Sequence, residues 1–519
     1  MIRSLQKWLS DPQQNAIAKY FWRLRKPGMP TQEVVLVQCV EDLYCLGIFG
    51  QIVSSLRERR SIRAEQYVLR SLRVGESRSL TGFAVSRLFI NELHSFKWVR
   101  IYKSFCDGVA YRSVSMRPIC DVIDACRAWQ CWRGLTDKDS LLGLQMDGIV
   151  VGDLINDSFL RFKPAPTLDL KDIYLPVLLW QAYRDVRRAN EYFSRARPSL
   201  YLTSYSTYIQ HGIPVRAALR NGVRVFSFGN YQEFIKELTL QDWVHTKNPD
   251  GYAKAFFELD RQNEKLALAE QALSARLSGG VDGATAYMRK SAYAGSADPV
   301  PDVRGAVVIF LHDFYDSPHV YREMVFPDFW EWLCFSIETL TSANVPFFIK
   351  PHPNQIGLSV GVLDEIKRRY PGLSMIPVGI TNRQLVDAGM SCAVTVYGTV
   401  AHEVAYLGVP SIACAHHPHI SFGFCRTAQS RNEYEQLLRG SIRLSFDKEV
   451  MRRESLIFYY MHNLHLSEEM KVLRDDSMAF RMNCENAGEE CDLVGALKQI
   501  AMLPGYRQSV ARMIEAYAV

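Results

Sequence analysis

Short, continuous apolar runs alternate with segments of helical spacing in the second half of the chain. The runs are Ala306–Leu311, Val345–Ile349, Cys392–Val396 and Pro410–Ala413, and apolar residues recur at helical spacing over 401–408. This alternation predicts a parallel sheet covered by helices. Ligands of such sheets bind beyond the carboxyl ends of the strands, so the polar residues after each run are candidates for function.

The first half of the chain has the same kind of pattern. Runs typical of strands are Val34–Val40, Tyr67–Leu72, Trp98–Tyr102, Ser199–Leu202 and Val223–Phe228. Segments with helical spacing are Asp169–Ser194 and Pro214–Arg220. Together they predict a first α/β domain before the second one.

Glycine and proline concentrate between the two halves, over Ser278–Gly305, which is typical of a linker. The predicted organisation is a basic amphipathic segment 1–30, a Rossmann-like domain 31–277, a linker 278–305, a second Rossmann-like domain 306–440 and a helical tail 441–519.

Composition predicts an ordinary globular protein, because 48% of the 519 residues are hydrophobic and 22% are charged. No apolar run reaches the ~18 residues that span a bilayer, and the N-terminus lacks the apolar core of a secretory signal. The 12 cysteines include no CxxC pair. We therefore expect a reducing, cytoplasmic location without disulfides.

Positive charge is concentrated at the start of the chain. The net charge of the whole chain is +6, and residues 1–30 contain six basic side chains, several aromatic ones and a single acid, Asp11. Such a segment can lie on an anionic membrane surface, or it can be a helix packed on the domain with a solvated basic face. No nucleic-acid motif is present, and nucleic acid is not an expected partner.

Three sets of polar residues follow the apolar runs of the second domain. Lys350-Pro351-His352-Pro353-Asn354 holds an imidazole between two prolines, where it can donate to a phosphate or only end the strand. A Gly398-Thr399 turn leads into a helix that carries Glu403. This turn can bind phosphate, and it can equally be an ordinary helix cap.

The third set is the loop from His312 to Pro318, in which His312 and Asp316 are candidates and Asp313 suits a turn. The loop lacks GxGxxG, and the chain has no GKS/T, HExxH or GxSxG motif. Seven of the 12 histidines lie between 312 and 419. Three of them, in His416-His417-Pro418-His419, are too close in sequence to bind one ion together easily, so we predict no metal site.

The strings IKPHPN, VYGTVAHEVAYLGVPSIA and HPHISF resemble the nucleotide-binding domain of bacterial surface-polysaccharide glycosyltransferases. The resemblance is to the capsule-polysaccharide-biosynthesis group, which includes Kdo transferases and, more distantly, bacterial sialyltransferases. It covers about 305–440 and is weak over 30–275. It implies the GT-B architecture, in which two Rossmann-like domains face each other across a cleft and the C-terminal one holds the donor.

The resemblance also implies roles for individual residues. His352, beside Lys350 and Pro353, would contact the donor phosphate, Gly398 and Thr399 would bind phosphate, and Glu403 would bind ribose. A catalytic carboxylate is expected from the first domain. Asp153, after the apolar run 148–151, is the first candidate and Asp157 the second, although both suit turns.

Residues Tyr208, His211 and Arg216 would shape the acceptor side of such an enzyme. The metal-binding DxD motif of a GT-A enzyme would lie at the end of a strand. The one such string, Asp137-Lys138-Asp139, follows no apolar run, so transfer is expected to need no metal.

From the sequence we hypothesise that the chain is a glycosyltransferase, which moves a sugar from a nucleotide-activated donor to a bacterial surface polysaccharide or its lipid-linked precursor. The resemblance makes CMP-Kdo the first candidate for the donor. The nucleotide-sugar is the substrate and no cofactor is expected. Attachment to the inner membrane through residues 1–30 is a further expectation. The alternatives are a GT-B-like nucleotide-sugar epimerase, a non-catalytic subunit of a glycan-assembly complex and a polyol-phosphate transferase.

Overall fold

A computed structural model describes residues 11–25, 33–69, 72, 74, 91–112, 117–229, 233–280, 298–352, 357–444, 446–486 and 491–518. The chain forms two compact units. The first contains Met1–Lys163, Asp169–Lys247 and Leu466–Val519, and the second contains Pro164–Leu168 and Asn248–His465. No described helix has the length and apolarity that crossing a membrane requires.

The strands are short, with two to six residues each. They are β1 (Val34–Cys39), β2 (Arg63–Val68), β3 (Gly108–Arg112), β4 (Gln145–Met146), β5 (Ile149–Val150), β6 (Leu200–Thr203), β7 (Arg224–Phe228), β8 (Ile235–Leu238), β9 (Val307–Phe310), β10 (Phe347–Lys350), β11 (Cys392–Val394), β12 (Ser411–Ala413) and β13 (Cys425–Thr427).

Helices account for most of the remaining regular structure. Up to residue 277 they are α1 (Pro12–Leu24), α2 (Leu43–Arg59), α3 (Asn91–Tyr102), α4 (Pro118–Gly134), α5 (Lys138–Leu142), α6 (Gly152–Phe162), α7 (Tyr174–Ala196), α8 (Tyr208–Arg220), α9 (Tyr252–Phe257) and α10 (Gln262–Leu277). After that they are α11 (Phe329–Ser342), α12 (Gly357–Arg369), α13 (Asn382–Asp387), α14 (Val400–Tyr406), α15 (Arg431–Arg439), α16 (Lys448–Tyr459), α17 (Glu468–Glu485), α18 (Leu493–Met502) and α19 (Pro504–Ala518), with a 3₁₀ turn at Ser441–Arg443 and a π-helical turn at Tyr460–Leu464.

The first unit is built on a six-stranded sheet in the order β3-β2-β1-β6-β7-β8. All neighbours are parallel except β8, which runs antiparallel to β7. The chain leaves β1 towards β2 on one side, and it leaves β6 towards β7 on the other. The topological switch point, where ligands of such sheets bind, therefore lies between β1 and β6.

The second unit is built on a five-stranded, fully parallel sheet in the order β10-β9-β11-β12-β13. The chain leaves β9 towards β10 and leaves β11 towards β12, on the opposite side. Its switch point lies between β9 and β11. The predicted α/β class with two Rossmann-like sheets is thus confirmed.

The compact units differ in their bounds from the domains expected from the sequence. Helices α9 and α10 bury their apolar faces against α16 of the second unit, through residues such as Phe256, Leu273 and Tyr459. Helices α17 to α19 return to the first unit, where Phe480, Leu497 and neighbouring side chains join the core around β1 and α2. Of the predicted linker, residues 281–297 lie outside the described part.

Two local predictions are wrong. Trp98–Tyr102 belongs to helix α3 and not to a strand. The exposed residues Phe96 and Arg100 are four positions apart, which is helical spacing, and the residues between them are buried. The second concerns the apolar run 148–151, which was expected to be a short strand that enters a polar turn at Asp153; the strand is present but the turn is not. A two-residue strand, β5, is followed at once by helix α6, and Asp153 lies in the first turn of that helix.

Helix α1 explains how the basic N-terminal segment packs. Asp11 caps the helix by accepting from the N–H groups of Gln13 and Gln14. Ile17 and Phe21 are buried in the core of the first unit, while Trp22 is 52% exposed. The described part of the segment therefore has the packed arrangement, one of the two alternatives that the sequence left open.

Candidate functional site

The carboxyl ends of β9 and β11 are joined by His312, directly at the switch point of the second sheet. Val396 N–H donates to His312 Nε2 at 3.2 Å, and Thr395 Oγ1 lies 3.0 Å from the same nitrogen. Because Nε2 accepts, the ring proton is on Nδ1. Burial, together with the charge of His352, lowers the pKa of His312 to about 3. This predicted catalytic residue is therefore neutral, and its Nε2 already has partners.

The turn after β11 has no room for a side chain at Gly398. Gly398 N–H donates to Thr395 Oγ1 at 3.1 Å, and a Cβ added at residue 398 would lie 2.7 Å from that oxygen. Thr395 thus connects the turn to His312. Tyr397 adds a second connection, since its hydroxyl donates to the carbonyl of Ser317 in the loop after β9 at 3.2 Å.

Thr399 and Glu403 do not form the helix cap that was the alternative to a binding role. The side chain of Thr399, which precedes α14, makes no capping hydrogen bond. Glu403 is 3% exposed, and each carboxylate oxygen has a partner. Arg276 Nη2 lies 2.6 Å from Oε1, and Asn382 Nδ2 donates to Oε2 at 2.9 Å.

Arg276 is the main residue of this site that sequence reasoning missed. It lies in α10, is 4% exposed, and its Nη2 donates to Thr399 Oγ1 at 3.4 Å as well as to Glu403. The N-terminus of a helix carries only a partial positive charge, and α14 has only seven residues. The formal positive charge beside the turn is therefore that of the Arg276 guanidinium. Arg276 and Glu403 are 127 residues apart in the chain, and no local motif connects them.

Lys350 is the last residue of strand β10, next to β9, and His352 follows two residues later. Lys350 Nζ donates to the carbonyl of Ile380 at 2.6 Å, and burial lowers the pKa of Lys350 to about 8. This ammonium therefore fixes the segment that leads to Asn382, the partner of Glu403. His352 is half-buried, and burial lowers its pKa although Asp313 opposes the shift. Pro353 lies outside the described residues.

The acids of the loop after β9 have turn geometry. Asp316 is exposed, and its Oδ1 accepts from Ser317 N–H at 2.9 Å. Asp313 Oδ1 accepts from Tyr315 N–H and from the hydroxyl of Ser359, each at 3.0 Å. The structure thus gives both carboxylates hydrogen bonds typical of a loop.

The two remaining carboxylate candidates lie in α6 of the first unit. Asp153 forms a bidentate pair with Arg216, at 2.8 Å between Nη1 and Oδ1 and 2.5 Å between Nη2 and Oδ2. Asp157 is 2% exposed, and its Oδ1 accepts from Asn156 Nδ2 at 3.5 Å. Asp153 and the predicted acceptor-side residue Arg216 are therefore partners of each other.

A buried polar cluster occupies the switch point of the first sheet. Gln38 Oε1, on β1, lies 3.3 Å from both His211 Nδ1 and the hydroxyl of Ser204, and Gln38 Nε2 donates to the hydroxyl of Tyr201 at 3.1 Å. Burial lowers the pKa of His211 to about 3. The sequence reasoning missed Gln38, although a single glutamine inside a buried apolar strand was the available signal.

No family model and no curated protein matches the chain. Solved structures similar to it include KpsC beta Kdo 2,4 transferase of Thermosulfurimonas dismutans, at 12% identity over 48% of this chain and 80% of that one, with a TM-score of 0.30.

Two further structures align over more of the chain. For the UDP-GlcNAc 2-epimerase of Methanocaldococcus jannaschii the identity is 8% over 81% of this chain and 97% of that one, and the TM-score is 0.23. For the wall teichoic acid polymerase TagF the identity is 11% over 93% and 96%, and the TM-score is 0.20. Scores this low do not distinguish a transferase from an epimerase.

Proposed function

We propose that the chain is a glycosyltransferase of GT-B architecture, which moves a sugar from a nucleotide-activated donor to a bacterial surface polysaccharide or its lipid-linked precursor. The observation that carries the proposal is the buried Arg276–Glu403 pair beside the Gly398–Thr399 turn, next to the switch point of a parallel sheet. A guanidinium suits a donor phosphate, and a carboxylate suits the hydroxyls of a ribose.

In this proposal, Arg276 and His352 stabilise the negative charge that develops on the departing nucleotide phosphate. Gly398 lets the backbone approach that phosphate closely. Glu403 already has a partner on each oxygen. A carboxylate oxygen can accept about two hydrogen bonds, so Glu403 retains the capacity to accept from ribose hydroxyls without losing Arg276 or Asn382.

The acceptor belongs to the first unit in this proposal. Asp153 and Asp157 are the candidate carboxylates for proton transfer or covalent attack, and the buried cluster around His211 and Gln38 supports the candidate acceptor side. CMP-Kdo is the first donor to test, on the strength of the sequence resemblance alone. Membrane attachment through residues 1–30 would use the exposed Trp22 and basic side chains, because Ile17 and Phe21 are buried.

Product analysis tests the proposal. The purified chain is incubated with CMP-Kdo, and separately with UDP-GlcNAc, in the presence and absence of a glycan acceptor. The acceptor and the sugar nucleotide are then analysed by mass spectrometry. A transferase adds the mass of a sugar to the acceptor and releases the nucleotide. A polyol-phosphate transferase would instead add a polyol phosphate when given a CDP-polyol, and an epimerase would change the sugar without an acceptor. Either result would replace the proposal.

A further inference from the structure

Two histidines and one cysteine come together between the last two strands of the second sheet. His417 and His419 lie in the loop after β12, and Cys425 begins β13. One ring nitrogen of each histidine and the Sγ of Cys425 all lie within 4.8 Å of one another. The exposed fractions of the three residues are 0%, 1% and 6%. We propose that these three side chains bind a divalent metal ion, and that the ion is zinc.

Unpartnered ring nitrogens are a second, independent observation that points to a ligand. His417 Nδ1 and His419 Nε2 are buried and have no hydrogen-bond partner within the described part of the chain. Buried polar atoms are rarely left in this state, because they lose their contact with water and gain nothing in return. A metal ion would take up the lone pair of each ring.

The ring of His417 is held in the orientation that metal binding needs. Its Nε2 lies 2.6 Å from Thr427 Oγ1, on the same strand as Cys425. Metal-binding histidines commonly make a hydrogen bond through the other ring nitrogen, which fixes the tautomer and the ring plane. Thr427 therefore serves as a positioning residue, and it leaves Nδ1 of His417 for the ion.

The donor set suits zinc. Two imidazole nitrogens and one thiolate are common zinc ligands, at about 2.0–2.1 Å for nitrogen and about 2.3 Å for sulfur. Cys425 would bind as the thiolate, and its proton would pass to solvent. The step involves no change of oxidation state, and water would fill the fourth position.

The surroundings of the three side chains are apolar. The rings of Phe424 and Phe458 lie with their centroids 5.5 Å from that of His419. The bound ion would link the loop after β12 to the start of β13. His416, the third histidine of the motif, takes a different direction, and its Nε2 lies 3.2 Å from the carboxylate of Asp250.

The proposed ligand set differs from the one to which the spacing argument against a metal site was applied. That argument considered three histidines in four positions, whereas the structure brings together two of them and a cysteine six residues after His419. Sequence alone gave no reason to include Cys425, because it has no partner in a CxxC pair.

Metal content and a cobalt spectrum test the proposal on the full-length chain. The purified protein is stripped with a chelator, re-equilibrated with Zn²⁺ or Co²⁺ and freed of excess ion. Cys425→Ser removes the sulfur ligand. Cys334→Ser is the matched control, because Cys334 is 7% exposed and lies in the same unit but outside the cluster.

The expected result is one zinc ion per wild-type chain and, with Co²⁺, the near-ultraviolet absorption band of a cobalt–thiolate bond. The band should be lost in Cys425→Ser and retained in Cys334→Ser. Wild-type protein without bound zinc and without the band would overturn the proposal, and so would a band that persists in Cys425→Ser. The wild-type spectrum decides the matter even if a variant fails to fold, and neither measurement depends on glycosyl transfer.

Discussion

Arg276 and Glu403 form an ion pair with 2.6 Å between Nη2 and Oε1, and both side chains are only 4% exposed. The pair connects α10, which precedes the second sheet in the chain, to α14 at the switch point of that sheet. A buried pair of this kind is costly to break, because the remaining charge has neither water nor a counter-charge. It therefore fixes a cation beside the Gly398 turn whether or not a ligand is bound.

Replacing one partner should reveal this cost. Glu403→Gln should lower the free energy of unfolding by about 3 kcal/mol, since it leaves Arg276 charged and buried. The matched control is Glu435→Gln, which breaks the exposed pair with Arg439 (45% and 38% exposed) and should cost less than about 1 kcal/mol. Urea or thermal unfolding measures both. Equal, small losses in the two variants would mean that the buried pair is not formed.

A methyl group at residue 398 should impair nucleotide binding without unfolding the protein. The added Cβ of Gly398→Ala would lie 2.7 Å from Thr395 Oγ1 and would displace the hydroxyl that connects the turn to His312. We expect the nucleotide Kd to rise about tenfold, or about 1.4 kcal/mol. Gly361→Ala is the control, because nothing lies within 4 Å of its Cβ. Titration calorimetry should find that the control binds nucleotide as the wild type does, and a similar Kd for Gly398→Ala would argue against the turn.

Acid should destabilise the fold through histidines that are buried or partly buried. Desolvation lowers the pKa of His211 and His312 to about 3 and that of His245 to about 4, each from 6.5. At a pH between the folded-state pKa of each histidine and its unfolded-state pKa of 6.5, the unfolded chain binds more protons than the folded chain. The contribution of each imidazole is therefore complete above pH 6.5, and it falls by about 1.4 kcal/mol per pH unit below that.

Urea unfolding at a series of pH values checks the prediction. His312→Gln should make the dependence of the unfolding free energy on pH shallower by the contribution of one proton. A slope unchanged from that of the wild type would mean that His312 is not held neutral in the folded state.

The two carboxylates of α6 should behave differently when their charges are removed. Asp153→Asn breaks the bidentate pair with Arg216, and we expect a loss of about 1–3 kcal/mol in the free energy of unfolding. Asp157 lies one turn further along the helix, where its Oδ1 accepts from Asn156 Nδ2 at 3.5 Å. The rate of transfer at saturating substrate is the informative quantity for Asp157→Asn. If Asp153→Asn abolishes transfer while the melting temperature is unchanged, Asp153 is the catalytic carboxylate and its pairing with Arg216 is incidental.

Four of the five strands of the second sheet could be predicted, because each of the four is a short apolar run that ends at a polar residue. The fifth, β13 (Cys425–Thr427), was missed because its sequence contains no apolar run. The runs 306–311 and 345–349 correspond to Val307–Phe310 and Phe347–Lys350. Trp98–Tyr102 was mistaken for a strand because five residues are too few to distinguish helical from strand spacing when four of them are apolar.

Long-range packing could not be predicted in the same way. Nothing local in α17 to α19 indicates that Phe480 packs within the core of the first unit, where a Cβ on Gly47 of α2 would lie 2.7 Å from its ring. Arg276 is similar, because a single arginine in a helix rich in alanine and leucine looks like a surface residue. Its function is visible only when the fold brings it to Glu403. The loop after β9, by contrast, could be named as a candidate site because it directly follows a predicted strand.

Nucleotide binding tests the proposed donor site most directly. A thermal-shift panel of CMP, UDP, GDP and ADP is measured on the wild type, His352→Ala, Gly398→Ala and the control His465→Ala, which replaces an exposed histidine of the same unit. A ligand at about 100 times its Kd stabilises a fold by about 2.7 kcal/mol. We predict that one nucleotide raises the melting temperature of the wild type and of His465→Ala but not of the two site variants. The absence of a shift with every nucleotide, or an equal shift in all four proteins, would contradict the proposed site.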